Sequence, residues 1–275
     1  MATSTKRSRY NVQSPRNRLA NPRVLKAFLQ ATIAFQKAGK KDEVDSPDVL
    51  RATAQQRVAD EKTLSERLWD QNLDLVDAAW DTKFIQGIAH GNLDPNDYGQ
   101  YTVQDAAYCN AATDNLQFLT DKVQGAPLEE FFKGQYEGYK GYTQELYESW
   151  FLKPDGADLG PAAQAYVDLE HEIAHNEEAL YYLVSMIPCL RLWPYLAKMM
   201  EKGGYDKESN IYKFWIEDNG SYKSAEEVEE VVDGCSLSGL INEEKANQIY
   251  RKCMYGEVNF FKSACDEPLL IIPPQ

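Results

Sequence analysis

Three segments of the chain put carboxylates, thiols and aromatic rings on common helical faces. Tyr98, Tyr101, Asp105 and Tyr108 form one set; Glu178, Tyr182, Ser185, Cys189 and Trp193 a second; Tyr250, Cys253, Glu257 and Phe260/Phe261 a third. Residues three and four apart in a helix share a face. A core face has little use for an acid, because burying an unpaired carboxylate costs several kcal/mol. Rings interleaved with acids instead suit a flat, nitrogen-rich ligand that stacks on the rings while its amines bond to Asp and Glu. Each residue also has a plainer reading: Cys189 as a small core residue, Asp105 and Glu257 as solvated acids, the tyrosines as core with hydroxyls at the surface.

Other chemistries find less support. A Cys–His dyad needs contact at hydrogen-bond distance. His175 precedes Cys189 by fourteen residues, about 21 Å along one continuous helix, and His90 can reach it only through tertiary folding. Glu172 and His175 have the Glu-x-x-His spacing of di-iron bundles, but a second such motif is missing, so a metal-dependent helical-bundle oxidase ranks last among the readings. The stretch from Asp233 to Glu244 has the length of a calcium loop, yet Cys235 and Leu237 occupy ligand positions. There is no Gly-rich phosphate loop.

The elements that must position these groups read as helices. Asp94-Pro95 is a start signal for a helix over 95–119. Gly160-Pro161 opens a long helix to about Met200, ended by Lys202-Gly203-Gly204. Shorter helices follow over 208–217 and Ser224–Val232, and a last long one over Asn242–Ala264. With no period-2 run or hairpin signal, the expected class is all-α. The expected organisation is a basic N-terminal extension over residues 1–60, carrying an amphipathic helix over 22–39 and a linker over 40–48, then a helical domain over 61–268 and a tail over 269–275.

Composition narrows the function classes. The 275 residues carry a formal charge of −14. Residues 1–41 hold ten Lys/Arg and no acid, so the other 19 basic residues face all 43 acids, a formal −24. Binding of nucleic acid by so acidic a body is not expected. A chain that is 43% hydrophobic can build a core, and no apolar run approaches the roughly 20 residues of a membrane span, so no membrane partner is expected. Five scattered cysteines point to a reducing compartment. The expected location is cytoplasmic, with a mitochondrion or plastid as the alternative, because the acid-free arm has the composition of a transit segment; it would equally serve as a tail docking on the acidic body.

Five blocks in order resemble the TenA family (thiaminase II, or aminopyrimidine aminohydrolase), whose fold is an all-helical, heme-oxygenase-like multi-helix bundle. They are Phe84-Ile85-Gln86-Gly87-Ile88-Ala89-His90-Gly91-Asn92-Leu93; Val103-Gln104-Asp105-Ala106-Ala107-Tyr108; Tyr166, placed 23 residues before the cysteine; Ile187-Pro188-Cys189; and Tyr255-Gly256-Glu257 with Phe260-Phe261. The resemblance spans roughly residues 63–265. It implies Cys189 as nucleophile, Asp105 as the group bonding the pyrimidine nitrogen and amine, and Glu257 as the proton carrier. Tyr108, Tyr166 and Trp193 would stack around the ring, with Tyr101 and Asn219 as further binding residues. It also implies a homo-oligomer (dimer or tetramer) acting on a small aminopyrimidine in thiamine salvage, without metal or organic cofactor. Thr82-Lys83, Arg191, Trp193 and Asn219 depart from the family pattern and bear on substrate identity. The alternative is a non-catalytic binding protein for an aromatic heterocycle using the same pocket.

Overall fold

A computed structural model describes residues 62–153 and 157–272, and every regular element among them is helical. The expected basic extension and its 22–39 helix lie outside the described residues. Helix α1 (Leu64–Asp70) starts with a capping box: Thr63 Oγ1 accepts from the Glu66 amide, and Glu66 Oε2 accepts from the Thr63 amide. Helix α2 (Leu73–Trp80) follows. Helix α3 (Lys83–His90) is capped by Thr82 and ends at Gly91, whose φ of 68° is a left-handed conformation that favours glycine. Helix α4 (Pro95–Lys122) begins at Asp94-Pro95 as expected and runs one turn further than 95–119.

Helix α5 (Glu129–Ser149) has no separate signature in the sequence reading. Gly134, Gly138 and Gly141 lower its intrinsic helicity by about 1 kcal/mol each relative to Ala, so packing against α4 has to hold it. The single long helix expected from Pro161 is in fact two, α6 (Pro161–Asn176) and α7 (Ala179–Gly203), separated by extended backbone at Glu177 and Glu178. No Gly or Pro marks this break, and both halves pack on the last helix of the chain. The 21 Å figure for His175 and Cys189 therefore loses its basis, although His175 still lies apart, exposed and stacked on Phe118 at 3.9 Å.

Helix α8 (Lys213–Asp218) starts later than expected, because the Asp206 carboxylate accepts from the Glu208 and Ser209 amides and holds a turn there. Helix α9 (Lys223–Leu237) runs past its expected end, and α10 (Glu243–Ala264) is capped by Asn242. Helix α10 lies at the centre, against α2, α4, α6 and α7. This brings the three stripes of α4, α7 and α10 to face one another.

The Phe84–Leu93 block is a packing device. Phe84 lies 4.2 Å from Tyr101 and 5.6 Å from Phe261 by ring centroid, and a Cβ on Gly87 would stand 2.8 Å from Leu93 Cβ. Arg191 turns to a partner within the fold: its guanidinium lies 4.8 Å from the Trp69 ring and 2.6 Å from the buried Glu229 carboxylate. Among the described residues, no helix is long and apolar enough to cross a membrane.

Candidate active site

Helices α4, α5, α7 and α8 enclose a cavity of about 770 Å³ whose floor includes Tyr101, Asp105, Tyr108, Cys109, Cys189 and Trp193. Asp105 and Tyr108 reach it because they sit at i and i+3 on the buried face of α4. Cys189 follows Pro188 inside α7, where the proline removes one rung of the helix ladder.

Glu257 stands behind this floor. Its Oε1 accepts from the Tyr166 hydroxyl at 2.9 Å and its Oε2 from Trp193 Nε1 at 2.7 Å, and the Cys189 thiol adjoins it. Tyr166 itself does not line the cavity; it stacks on Tyr108 at 5.1 Å. Tyr166 thus stands one layer back from the lining, holding Glu257. Asn219 lies at the cavity mouth, with its amide donating to the Trp215 carbonyl at 2.9 Å. Glu178 and Ser185 of the second stripe leave the site: Glu178 is an exposed N-cap and Ser185 bonds back to the Tyr182 carbonyl. None of the three histidines lines the cavity; Glu172 and His175 are exposed on α6.

One functional candidate escaped the sequence reading. Glu170 is 2% exposed and accepts a hydrogen bond from the Tyr108 hydroxyl at 2.9 Å. Between Asp168 and Glu172 it reads as part of a solvated acidic face; its i+4 spacing from Tyr166 was the available signal. Tyr139, Tyr142 and Trp215 also line the cavity, and Trp215 Nε1 donates to the Tyr101 hydroxyl at 3.2 Å.

The site therefore gathers three buried acids, Asp105, Glu170 and Glu257. Burial and the neighbouring Glu257 push Asp105 up to about 7. Burial pushes Glu257 up to about 7 against the hydrogen bonds from Trp193 and Tyr166. Burial, opposed by the Tyr108 bond, takes Glu170 up to about 8. Burial first, then Glu257, holds the Cys189 thiol well above its ordinary range, so the resting group is a neutral thiol.

These shifts carry a stability consequence. The folded protein keeps protons that the unfolded chain releases from about pH 4 upward. That stabilisation is complete below the ordinary carboxylate range and is lost as pH rises through about 7 to 8. The melting temperature of the ligand-free protein is expected to fall between pH 5 and 8, and Glu170→Gln to flatten the fall; thermal denaturation across that range checks it, and a rising curve would refute it.

Gly256 gives a second test. A Cβ there would lie 2.7 Å from the Tyr166 ring. Gly256→Ala is expected to cost about 1–3 kcal/mol by overpacking and to push Tyr166 off Glu257, read as a lowered denaturant midpoint.

Residues 69–267 match the TENA/THI-4/PQQC family. The chain is 22% identical over 209 residues to the thiamine biosynthesis multifunctional protein ThiED of Corynebacterium efficiens, covering 72% of this chain but only 28% of that protein. It is 21% identical over 209 residues to the aminopyrimidine aminohydrolase of Staphylococcus carnosus, covering 69% of this chain and 89% of that enzyme. Among solved structures, a TenA homologue from P. horikoshii aligns with a TM-score of 0.61 at 18% identity, over 74% of this chain and 98% of its own. A putative TenA-like thiaminase from Sulfolobus solfataricus aligns at 0.57 and 18%, over 75% and 98%. The fold is the heme-oxygenase-like bundle.

Proposed function

The chain belongs to the TENA/THI-4/PQQC family, and from that premise we propose that it is a hydrolase of the thiaminase II type, cleaving an aminopyrimidine at its exocyclic methylene. The observation that carries the reading is the meeting of Asp105 and Cys189 at one cavity floor with Glu257 beside the thiol. Asp105 accepts hydrogen bonds from the pyrimidine amine and a protonated ring nitrogen. Glu257 takes the Cys189 proton as the sulfur bonds to a ring carbon. The bond from the methylene to the leaving group then breaks, its electron pair going with that group. Water adds to the methylene and releases a proton to solvent, the carbon–sulfur bond breaks with its electron pair returning to sulfur, and the proton held by Glu257 restores the thiol. The net reaction exchanges the leaving group for hydroxyl.

A binding protein using the same pocket is the second reading. It draws on Glu257, both of whose oxygens are already held by Tyr166 and Trp193. Incubation with thiamine and with aminomethylpyrimidine, followed by mass spectrometry for the hydroxymethyl product, separates the two. Product from the wild type supports the hydrolase; binding without product supports the second reading.

A further inference from the structure

Glu170 has no task in the proposed chemistry and lies outside all five blocks of the resemblance. It sits one turn after Tyr166 on the buried face of α6. The two residues hold different partners. The Tyr166 hydroxyl donates to Glu257 of α10, and Glu170 accepts from the Tyr108 hydroxyl of α4 at 2.9 Å. The Tyr108 and Tyr166 rings stack at 5.1 Å, so two tyrosine–carboxyl pairs stand side by side. In the second pair Tyr108 lines the cavity and Glu170 does not. The ionisable groups acting on the Tyr108 hydroxyl are Glu170, Tyr166, Cys189 and Tyr139, and Cys189 and Tyr139 belong to the cavity wall. The hydroxyl therefore stands between a buried carboxyl and the open space.

A tie between α4 and α6 is the plainer reading of this bond. A carboxyl is a poor choice for that task, because burial penalises it and a neutral amide or hydroxyl would serve. What a carboxyl offers is a dependable acceptor: ionised it only accepts, and protonated it still accepts through its carbonyl oxygen. A phenol has one proton and two lone pairs. With that proton committed to Glu170, Tyr108 has only lone pairs to turn toward the cavity, and donating to a carboxyl polarises its oxygen into a stronger acceptor. The carboxylate of Asp105, one turn earlier on the same face of α4, is an acceptor as well.

We propose that Glu170 is a positioning residue that fixes the Tyr108 hydroxyl as a hydrogen-bond acceptor, so that Asp105 and Tyr108 together select a ring amine, one N–H for each, over a carbonyl in the same place. The inference rests on the aminopyrimidine reading and assigns how the amine is told from an oxo group. Without Glu170 the Tyr108 proton is free to turn into the cavity, where it opposes an N–H and serves a carbonyl.

The test uses the full chain and two probes measured by calorimetry. One is 4-amino-5-hydroxymethyl-2-methylpyrimidine, the product of the proposed reaction, which binds without turnover. The other is its 4-oxo counterpart, measured in competition with the amine. Glu170→Met, apolar and of similar length, is expected to weaken the amine at least fivefold and to narrow the preference for amine over oxo at least as much. Glu170→Gln, whose amide oxygen still accepts, should hold the amine within threefold of the wild type. Tyr108→Phe should weaken the amine as far as Glu170→Met does, and the double variant no further. Glu170→Leu repeats the measurement if the methionine variant folds poorly. A mere tie between helices predicts equal weakening of both probes, no rescue by glutamine, and a loss that persists in the Tyr108→Phe background. Any of these overturns the proposal, as does amine affinity within twofold of the wild type in Glu170→Met, and each leaves the aminopyrimidine reading intact. If the wild type binds neither probe, that reading falls and the proposal with it.

Discussion

Cys189→Ala is expected to lower formation of the hydroxymethyl product by about a thousandfold or more, since removing a covalent nucleophile forfeits the whole two-step route. Binding should survive, because Asp105 and the rings of Tyr101, Tyr108 and Trp193 still line the cavity. The magnitude follows from the resting state of the thiol. Burial and nearby acids keep Cys189 protonated, so the proposed covalent route requires loss of that proton as the ligand binds, and it assigns the adjoining Glu257 to take it. Cys235→Ala serves as the comparison. Cys235 is buried on α9 and absent from the cavity lining, so its loss should leave turnover within a few-fold of the wild type. Product formation measured under single-turnover conditions decides. Retention of more than a tenth of the wild-type rate by Cys189→Ala would end the covalent route.

The second large effect belongs to Glu257. Glu257→Gln is expected to reduce kcat by about 10²–10⁴-fold, the usual worth of a general acid–base. In the wild type, turnover should rise with pH through about 7, where Glu257 ionises; the amide variant should lose that limb. The substitution also disturbs the site physically. Both carboxylate oxygens accept, one from Tyr166 and one from Trp193, and an amide opposes a donor to one of them, at a cost of about 1–3 kcal/mol. Tyr166→Phe separates the two consequences. It removes one donor that favours the ionised form, so the limb should move to higher pH while kcat falls far less. A pH profile unchanged by either substitution would remove Glu257 from the proton path.

Much of this site was legible in the residues. Asp105, Cys189 and Glu257 stood inside aromatic stripes at helical spacing, and the structure turns all three inward. Helix ends written in local chemistry were also readable: Asp94-Pro95, Asn242 and Gly204 need only their own neighbours to act. The misreadings share one cause. Residues 177 and 178 break a helix without Gly or Pro; α5 persists despite three glycines; Glu170 is buried although it sits among solvated acids. In each, contacts distant in sequence outweigh local preference, which is worth only a few tenths of a kcal/mol to about 1 kcal/mol per residue.

Helical class, the acidic body with its basic arm, and the identity of the chemical groups were thus settled by sequence alone, because periodicity, charge and capping are properties of neighbours along the chain. Only the tertiary structure decided which groups touch. It set Tyr166 behind Glu257, joined Tyr108 to Glu170, gave Arg191 to Glu229 and Trp69, and built a mouth from Tyr98, Trp150 and Phe214. Those residues lie on different helices, and the raised carboxylates exist only once burial has removed the water that would otherwise solvate them.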